Sequence, residues 1–132
     1  MKNLSPGLSA EMSMTVSAAD TASKWGSGFV PVFSTPALVG LLEAAAVCAL
    51  DGQLEAGQTT VGTHIDVRHL AATPVGMSVR ARAELVAIEG RKLIFQVQAW
   101  DEVEKIGEAL HERFMVDMEK FVIRTQAKQK EV

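Results

Sequence analysis

Cysteine is nearly absent from this chain: of 132 residues only Cys48 carries a thiol. A lone cysteine excludes a disulfide framework and fits a reducing compartment, so a cytoplasmic location is expected. Its neighbours are apolar, which argues against a nucleophilic role. Charge of one sign is missing too. The formal net charge is −3 with no basic block, which argues against nucleic acid as a partner. No apolar run approaches the roughly 20 residues of a bilayer span, so no membrane partner is expected. The opening Met1-Lys2-Asn3-Leu4-Ser5-Pro6-Gly7-Leu8-Ser9 lacks the apolar stretch of a signal peptide. The three histidines do not stand at metal-ligand spacing from cysteines or carboxylates, so no metal site is expected. Aromatic residues are scarce, and no internal repeat or low-complexity segment occurs.

What the chain does contain is aliphatic. Apolar residues make up 48% and mean hydropathy is +0.14, the profile of one globular domain able to bury about two-thirds of its unfolded surface. The domain is expected to occupy residues 1–123, with 124–132 a polar, frayed C-terminal tail.

The most informative segment lies between Thr35 and Asp51, where fifteen residues carry one charge, Glu43. Thr35 reads as a helix cap with Pro36 at the first helical position, and Asp51-Gly52 reads as the stop. A helix apolar on every side must be buried on most sides, which predicts that Glu43 is a carboxylate inside a core. An ionised carboxylate there is costly unless a partner compensates. Four strand-like runs follow, near Thr59–Leu70, Met77–Ile88, Lys92–Trp100 and Lys105–Val116, with tight hairpins at Glu89-Gly90-Arg91 and Glu102–Glu104. A short first strand is expected over Glu11–Val16. Residues Ala22–Ser34 read as a loop, yet one holding Trp25, Phe29, Val30 and Phe33. An apolar loop normally covers something.

One apolar helix followed by consecutive strands, with no alternating helices, suits an α+β fold in which an antiparallel sheet wraps a single long helix. This is the hotdog architecture. Arg80, Arg82, Glu84, Gln96 and Gln98 are expected on the wet face of the sheet. One sheet cannot enclose a helix apolar all round, so a homodimer or a higher homo-oligomer is expected.

Strict alternation of Val61, Thr63, Ile65, Val67 and His69 puts His69 on the apolar strand face and turns His64 outward. An inward acid on the helix and an inward imidazole on the next strand read as the start of an active site. His111 and Arg113 share a face of the last strand. Arg113 suits either a carboxylate or phosphate of a ligand, or a salt bridge.

Several stretches resemble the fluoroacetyl-CoA thioesterase-like family of hotdog proteins: Thr35-Pro36-Ala37-Leu38-Val39, Leu42-Glu43-Ala44-Ala45, Thr59-Thr60-Val61-Gly62-Thr63-His64, Val67-Arg68-His69-Leu70, Ala72-Thr73-Pro74-Val75-Gly76-Met77 and His111-Glu112-Arg113-Phe114. The likeness runs from about Phe29 to Phe121. It implies an acyl-CoA thioesterase that needs no cofactor. The family's catalytic threonine, glutamate and histidine fall on Thr35, Glu43 and His69. Its glycine at the thioester falls on Gly62, and its gating phenylalanine on Phe29.

The chemistry is consistent with that implication. Thioester hydrolysis needs a nucleophile or activated water, a proton donor for the leaving thiolate and donors for the oxyanion. Glu43 can act as base or attack directly, and His69 can orient it or move a proton. Thr35 is open to three roles: nucleophile, water-positioner or helix cap. Gly62 lets a substrate approach the main chain closely, or marks only a strand bulge. If Thr35 caps the helix, about 12 Å of helix axis separates it from Glu43. Direct contact is then excluded unless the helix starts later, or a substrate or neighbouring subunit spans the gap. The preferred reading is hydrolysis of a small acyl-CoA to the free acid and CoA. The alternatives are a hotdog hydratase or dehydratase, which also uses an acid and a histidine, and a non-catalytic acyl-CoA-binding module.

Overall fold

A computed structural model describes residues 4–131. Met1–Asn3, where the N-terminal segment begins, and Val132 lie outside the described residues. Strand β1 (Ser9–Thr15) leads through a 3-10 turn (Ala18–Asp20) and a one-turn helix, α1 (Ala22–Trp25), to the long helix α2 (Thr35–Ala49). Strands β2 (Gln58–His69), β3 (Ser78–Glu89), β4 (Lys92–Trp100) and β5 (Lys105–Asp117) follow, then helix α3 (Met118–Ala127). The five strands form one sheet in the order β1-β3-β4-β5-β2, every pair antiparallel. The α+β arrangement expected from the sequence is present, with α2 lying across one sheet face.

Helix and sheet meet through small side chains. Leu38, Leu42, Ala45 and Ala46 of α2 are fully buried against Ala81, Ala83, Leu85, Phe95, Val97 and Ala99. Alternation along β3 explains the two faces: Val79, Ala81, Ala83 and Leu85 are buried while Arg80 and Arg82 are exposed, as a period of two requires. Gln96 and Gln98 stand on that wet face, and Glu84 is half-buried there. Alanines let the helix approach closely. At Gly107 the approach is closer still, since an added Cβ would lie 2.9 Å from Leu38 Cδ2.

Three expectations about local structure need correction. Thr35 is not the cap of α2. Ser34, extended at φ −79° and ψ 155°, accepts from the Ala37 amide with its hydroxyl at 3.1 Å. Both residues are good caps, and proline is tolerated in the first turn, so the helix starts one residue earlier than expected. The tail is helical over its described residues. Asp117 caps α3 by accepting from the Lys120 amide at 3.0 Å, and helical turns continue through Glu131. Finally, the loop before α2 is only partly a cover. Phe33 is fully buried, but Trp25, Val30 and Phe29 are exposed, Phe29 at 99%.

Phe33 anchors the segment that delivers α2. Its amide donates to the Thr73 carbonyl at 2.8 Å, and Thr73, itself buried, donates its hydroxyl to Asp101 Oδ2 at 2.8 Å. The other Asp101 oxygen accepts from the amides of Val103 and Glu104, an Asx turn that closes the β4–β5 hairpin. The start of α2 is thereby tied to the far end of the sheet.

Candidate active site

The path of β2 decides which side chains face α2. Gly62 and His69 are seven residues apart, an odd interval that in a regular strand puts them on opposite faces. The register against β5 shifts between Gly62 and His64, and the inserted residue resets the alternation. Gly62 is therefore opposite Arg113, while Ile65, Val67 and His69 are opposite His111, Ala109 and Gly107. All of these face the helix. The sequence expectation of unbroken alternation from Val61 is corrected by this bulge, although His69 still faces inward and His64 is exposed.

Two groups of polar residues result. At the start of α2, the Thr35 hydroxyl lies 2.8 Å from His69 Nδ1. Because Ser34 does the capping, the Thr35 side chain is free for this contact. Among the described residues His69 Nε2 is buried and has no hydrogen-bond partner. Burial holds the imidazole below its ordinary pKa, with the Ala71 backbone offsetting part of the effect. A neutral imidazole beside a hydroxyl can accept its proton. A cavity of about 400 Å³ opens beside this pair, lined by Ala22, Phe33, Ser34 and Leu70 among others. Phe29 stands clear of it.

The second group surrounds Glu43, two turns further along α2. The Glu43 carboxylate is 41% exposed, and its Oε2 lies 3.7 Å from Arg113 NH1, a guanidinium only 8% exposed. Glu43 thus sits on the rim of the helix–sheet interface rather than inside the core. The physical reason is that one sheet covers only one side of α2. Gly40 and Val47, one turn on either side of Glu43, are also exposed. Arg113 donates from Nε to the Thr60 hydroxyl at 2.9 Å and from NH2 to the Thr60 carbonyl at 3.1 Å. Burial disfavours the guanidinium charge, and Glu43 opposes that shift. A Cβ at Gly62 would meet Glu43 Oε2 at 2.9 Å, so a side chain there would push the carboxylate out of its present position.

Of the residues singled out from sequence, Thr35 pairs with His69, and Glu43 gathers with Gly62 and Arg113. The two groups do not meet within the chain, because eight residues of helix separate Thr35 from Glu43 by about 12 Å. Sequence reasoning overlooked Thr60, whose hydroxyl and carbonyl fix Arg113, and the cap at Ser34. The Ser-Thr-Pro run signalled the latter only ambiguously. Among the described residues no cluster of three or more His, Cys, Asp or Glu side chains is placed to hold a metal ion.

Comparison with known proteins shows the family. The model of the fluoroacetyl-CoA-specific thioesterase family, FlK, matches residues 16–119. The chain belongs to this family. It is 45% identical over 100 residues to the fluoroacetyl-CoA thioesterase of Streptantibioticus cattleyicolor, covering 76% of this chain and 72% of that protein. The structure of the fluoroacetyl-CoA thioesterase FlK superposes with a TM-score of 0.90 at 36% identity, covering 96% of this chain and 98% of the other. A thioesterase superfamily member from Thermus thermophilus superposes at 0.91 with 26% identity, covering 99% and 97%. Membership in a thioesterase family selects thioester hydrolysis over the hydratase and binding-module alternatives, and the hotdog fold is shared with these structures.

Proposed function

We propose that this acyl-CoA thioesterase hydrolyses a small acyl-CoA thioester to the free acid and CoA at a site shared between two protomers. Thr35 and His69 come from one protomer and Glu43 from its partner. The observation that carries the reading is the Thr35 hydroxyl set 2.8 Å from His69 Nδ1. Glu43, on the helix that begins with Thr35, is a half-exposed carboxylate about 12 Å further along its axis, so in this reading a second copy brings the acid to the pair. His69 Nε2 is covered by this chain's own atoms, and the carboxylate reaches it as those side chains move on pairing.

The sheet supports pairing of two copies. Strand β2 is an edge twelve residues long, and a long free edge favours addition of another strand. Two β2 strands running antiparallel about a two-fold axis near Ile65 and Asp66 would bring the Gly62 end of one beside the His69 end of the other. That arrangement would also cover Val47 and the uncovered face of α2, so we read the molecule as a homodimer, or a higher oligomer built from it.

In this site His69 Nδ1 accepts the Thr35 hydroxyl proton as Thr35 Oγ1 attacks the thioester carbon. The partner's Glu43 accepts a hydrogen bond from Nε2–H, holding the tautomer in the manner of a triad acid. A backbone N–H near Gly62 stabilises the oxyanion. The C–S bond then breaks, His69 gives its proton to the leaving CoA thiolate, and water hydrolyses the acyl-threonine by the same base. Phe29, at the tip of the loop beside the cavity, closes over the acyl group when substrate binds. Arg113 acts on the acyl end through the carboxylate it holds. The relatives named for fluoroacetyl-CoA support a small acyl group. The free Cys48 and a CoA substrate support a cytoplasmic location.

Complementation tests the shared site. Glu43→Gln and His69→Ala chains, each inactive alone, are co-expressed and the mixed dimer isolated with two affinity tags. One of its two sites then has every wild-type residue, and activity should return to about half of wild type per dimer, the share expected for one intact site of two. A mixed dimer as inactive as its parents would overturn the shared site. A stable monomer with full activity would overturn the dimer itself.

A further inference from the structure

Deep in the Glu43 group lies a histidine that the mechanism above does not use. His111, on β5, is 1% exposed, and both of its ring nitrogens are engaged. Nδ1 lies 2.8 Å from the His64 carbonyl, an acceptor only, so Nδ1 carries the proton and donates. Nε2 lies 3.2 Å from Arg113 NH1, a donor only, so Nε2 is bare and accepts. One tautomer satisfies both contacts, the neutral Nδ1–H form. The cationic form would turn an N–H toward a guanidinium. Burial, the first cause, and Arg113 hold the pKa down, against opposing effects of the His64 carbonyl and Glu43.

The geometry gives this imidazole a task beyond filling space. Arg113 donates from Nε and NH2 to the hydroxyl and the carbonyl of Thr60, which sets the guanidinium plane and leaves NH1 to other partners. NH1 meets His111 Nε2 at 3.2 Å and faces Glu43 Oε2 at 3.7 Å, so His111 holds the nitrogen that the carboxylate meets. Gly62 leaves room for all three groups. A Cβ there would meet the Glu43 carboxylate at 2.9 Å, and Arg113 NH1 and His111 Cε1 at 3.3 Å each. On the other side Phe95 backs the imidazole with ring centroids 6.3 Å apart. The bulge in β2 lies between the two residues that flank this arrangement, Gly62 and His64.

We propose that His111 is a positioning residue for Glu43. It orders Arg113, and Arg113 in turn sets the direction of the carboxylate, while His111 itself touches no substrate. The proposal rests on the reading of Glu43 as the acid of the site.

Two substitutions separate the two nitrogens. The amide of His111→Asn can still donate to the His64 carbonyl but no longer reaches Arg113. The longer His111→Gln can present its oxygen to Arg113 and give up the His64 contact. With acetyl-CoA as the probe, His111→Asn should lower kcat about tenfold, the scale of coupling between groups in direct contact, with KM changed less than about twofold. His111→Gln should keep kcat within about threefold, and both should lose thermal stability to a similar degree, since each gives up one buried contact. In a Glu43→Gln background the His111→Asn effect should shrink to less than about twofold, because its route runs through the carboxylate. Equal kcat losses in the two variants, or a His111→Asn effect that persists in full without Glu43, would overturn the proposal. Near-normal turnover of Glu43→Gln alone would instead sink the reading of Glu43, so the two failures are distinguishable. If His111→Asn does not fold, Arg113→Lys takes its place. It keeps the charge and loses the fork, and its kcat loss must likewise vanish in the Glu43→Gln background.

Discussion

The two polar groups along α2 differ in one respect that sorts catalysis from support. At the helix start, Thr35 and His69 form a pair with a ring nitrogen left open in a buried place. Eight residues later, Arg113 and His111 use their polar atoms on Thr60, the His64 carbonyl, each other and Glu43. A hydroxyl set against a ring nitrogen that can take its proton is what a reacting pair needs. A closed network is what holds a group still. Glu43 stands between the two descriptions, tied to Arg113 on one side and 41% exposed on the other.

The largest effects should come from the open pair and the acid it awaits. His69→Ala and Glu43→Gln should each lower kcat by about 10²-fold or more, the usual scale for a general base or its orienting acid, with folding retained. Turnover assays with circular dichroism on the same samples check this. Near-normal turnover in either variant removes that residue from the site, and the comparison between the two groups then collapses.

How much of this was readable beforehand depends on what each inference used. The long helix, the strand runs along the chain and both hairpins follow from periodicity and turn chemistry, and these are local. The inward face of His69 was read correctly from a faulty premise, because the bulge after Gly62 is set by pairing with β5 and leaves no periodic mark. The burial of Glu43 was overstated for a related reason. An apolar helix reports that it is covered, but not whether its own sheet or another protomer covers it. Arg113 was left open between a ligand and a salt bridge, and the register opposite Gly62 gives it Glu43. The helix after Asp117 was missed although Asp117 at its start is a good cap, because the polar residues around it resemble a tail.

Phe29 sharpens the contrast from outside. At 99% exposure it contributes nothing to the core, so Phe29→Ala should leave the melting temperature almost unchanged, within the roughly 0.5 kcal/mol of ordinary surface changes. If it closes over the acyl group, the kcat/KM ratio between two acyl-CoAs of different chain length should shift by about 10–200-fold. An unchanged ratio would dismiss the lid, and a large stability loss would show that Phe29 packs where the single protomer leaves it free.

The two inward histidines give a pH test. Both have folded pKa values below the ordinary 6.5. As pH falls through 6.5 the unfolded chain takes up protons that the folded chain resists, so stability is full above that value and declines below it. The activity limb should follow His69 alone. Burial within the protomer lowers the pKa of the base, while a partner's Glu43 carboxylate at Nε2 would raise it, so Glu43→Gln should move the midpoint of the residual acid limb of kcat/KM downward. His111→Gln should flatten part of the stability decline and leave the midpoint of the activity limb in place. A limb that does not move in Glu43→Gln would mean that Glu43 does not face the base.

The smallest effect concerns two adjacent residues with similar side chains. Ser34 caps α2 and is buried, whereas Thr35, next to it, is exposed and turned to His69. Ser34→Ala leaves the Ala37 amide without its acceptor and should cost about 0.5–2 kcal/mol, with 1 typical. For a chain of this size that is a drop of about 2–8 °C in melting temperature, and kcat should stay close to wild type. Thr35→Ala removes no capping bond and should leave the melting temperature within a degree or two, a surface-scale change, while turnover falls. The two measurements therefore cross. If both substitutions lower turnover equally and neither moves the melting temperature, the cap and the nucleophile have not been told apart. The free hydroxyl of Thr35 would then lose its standing as the group that attacks.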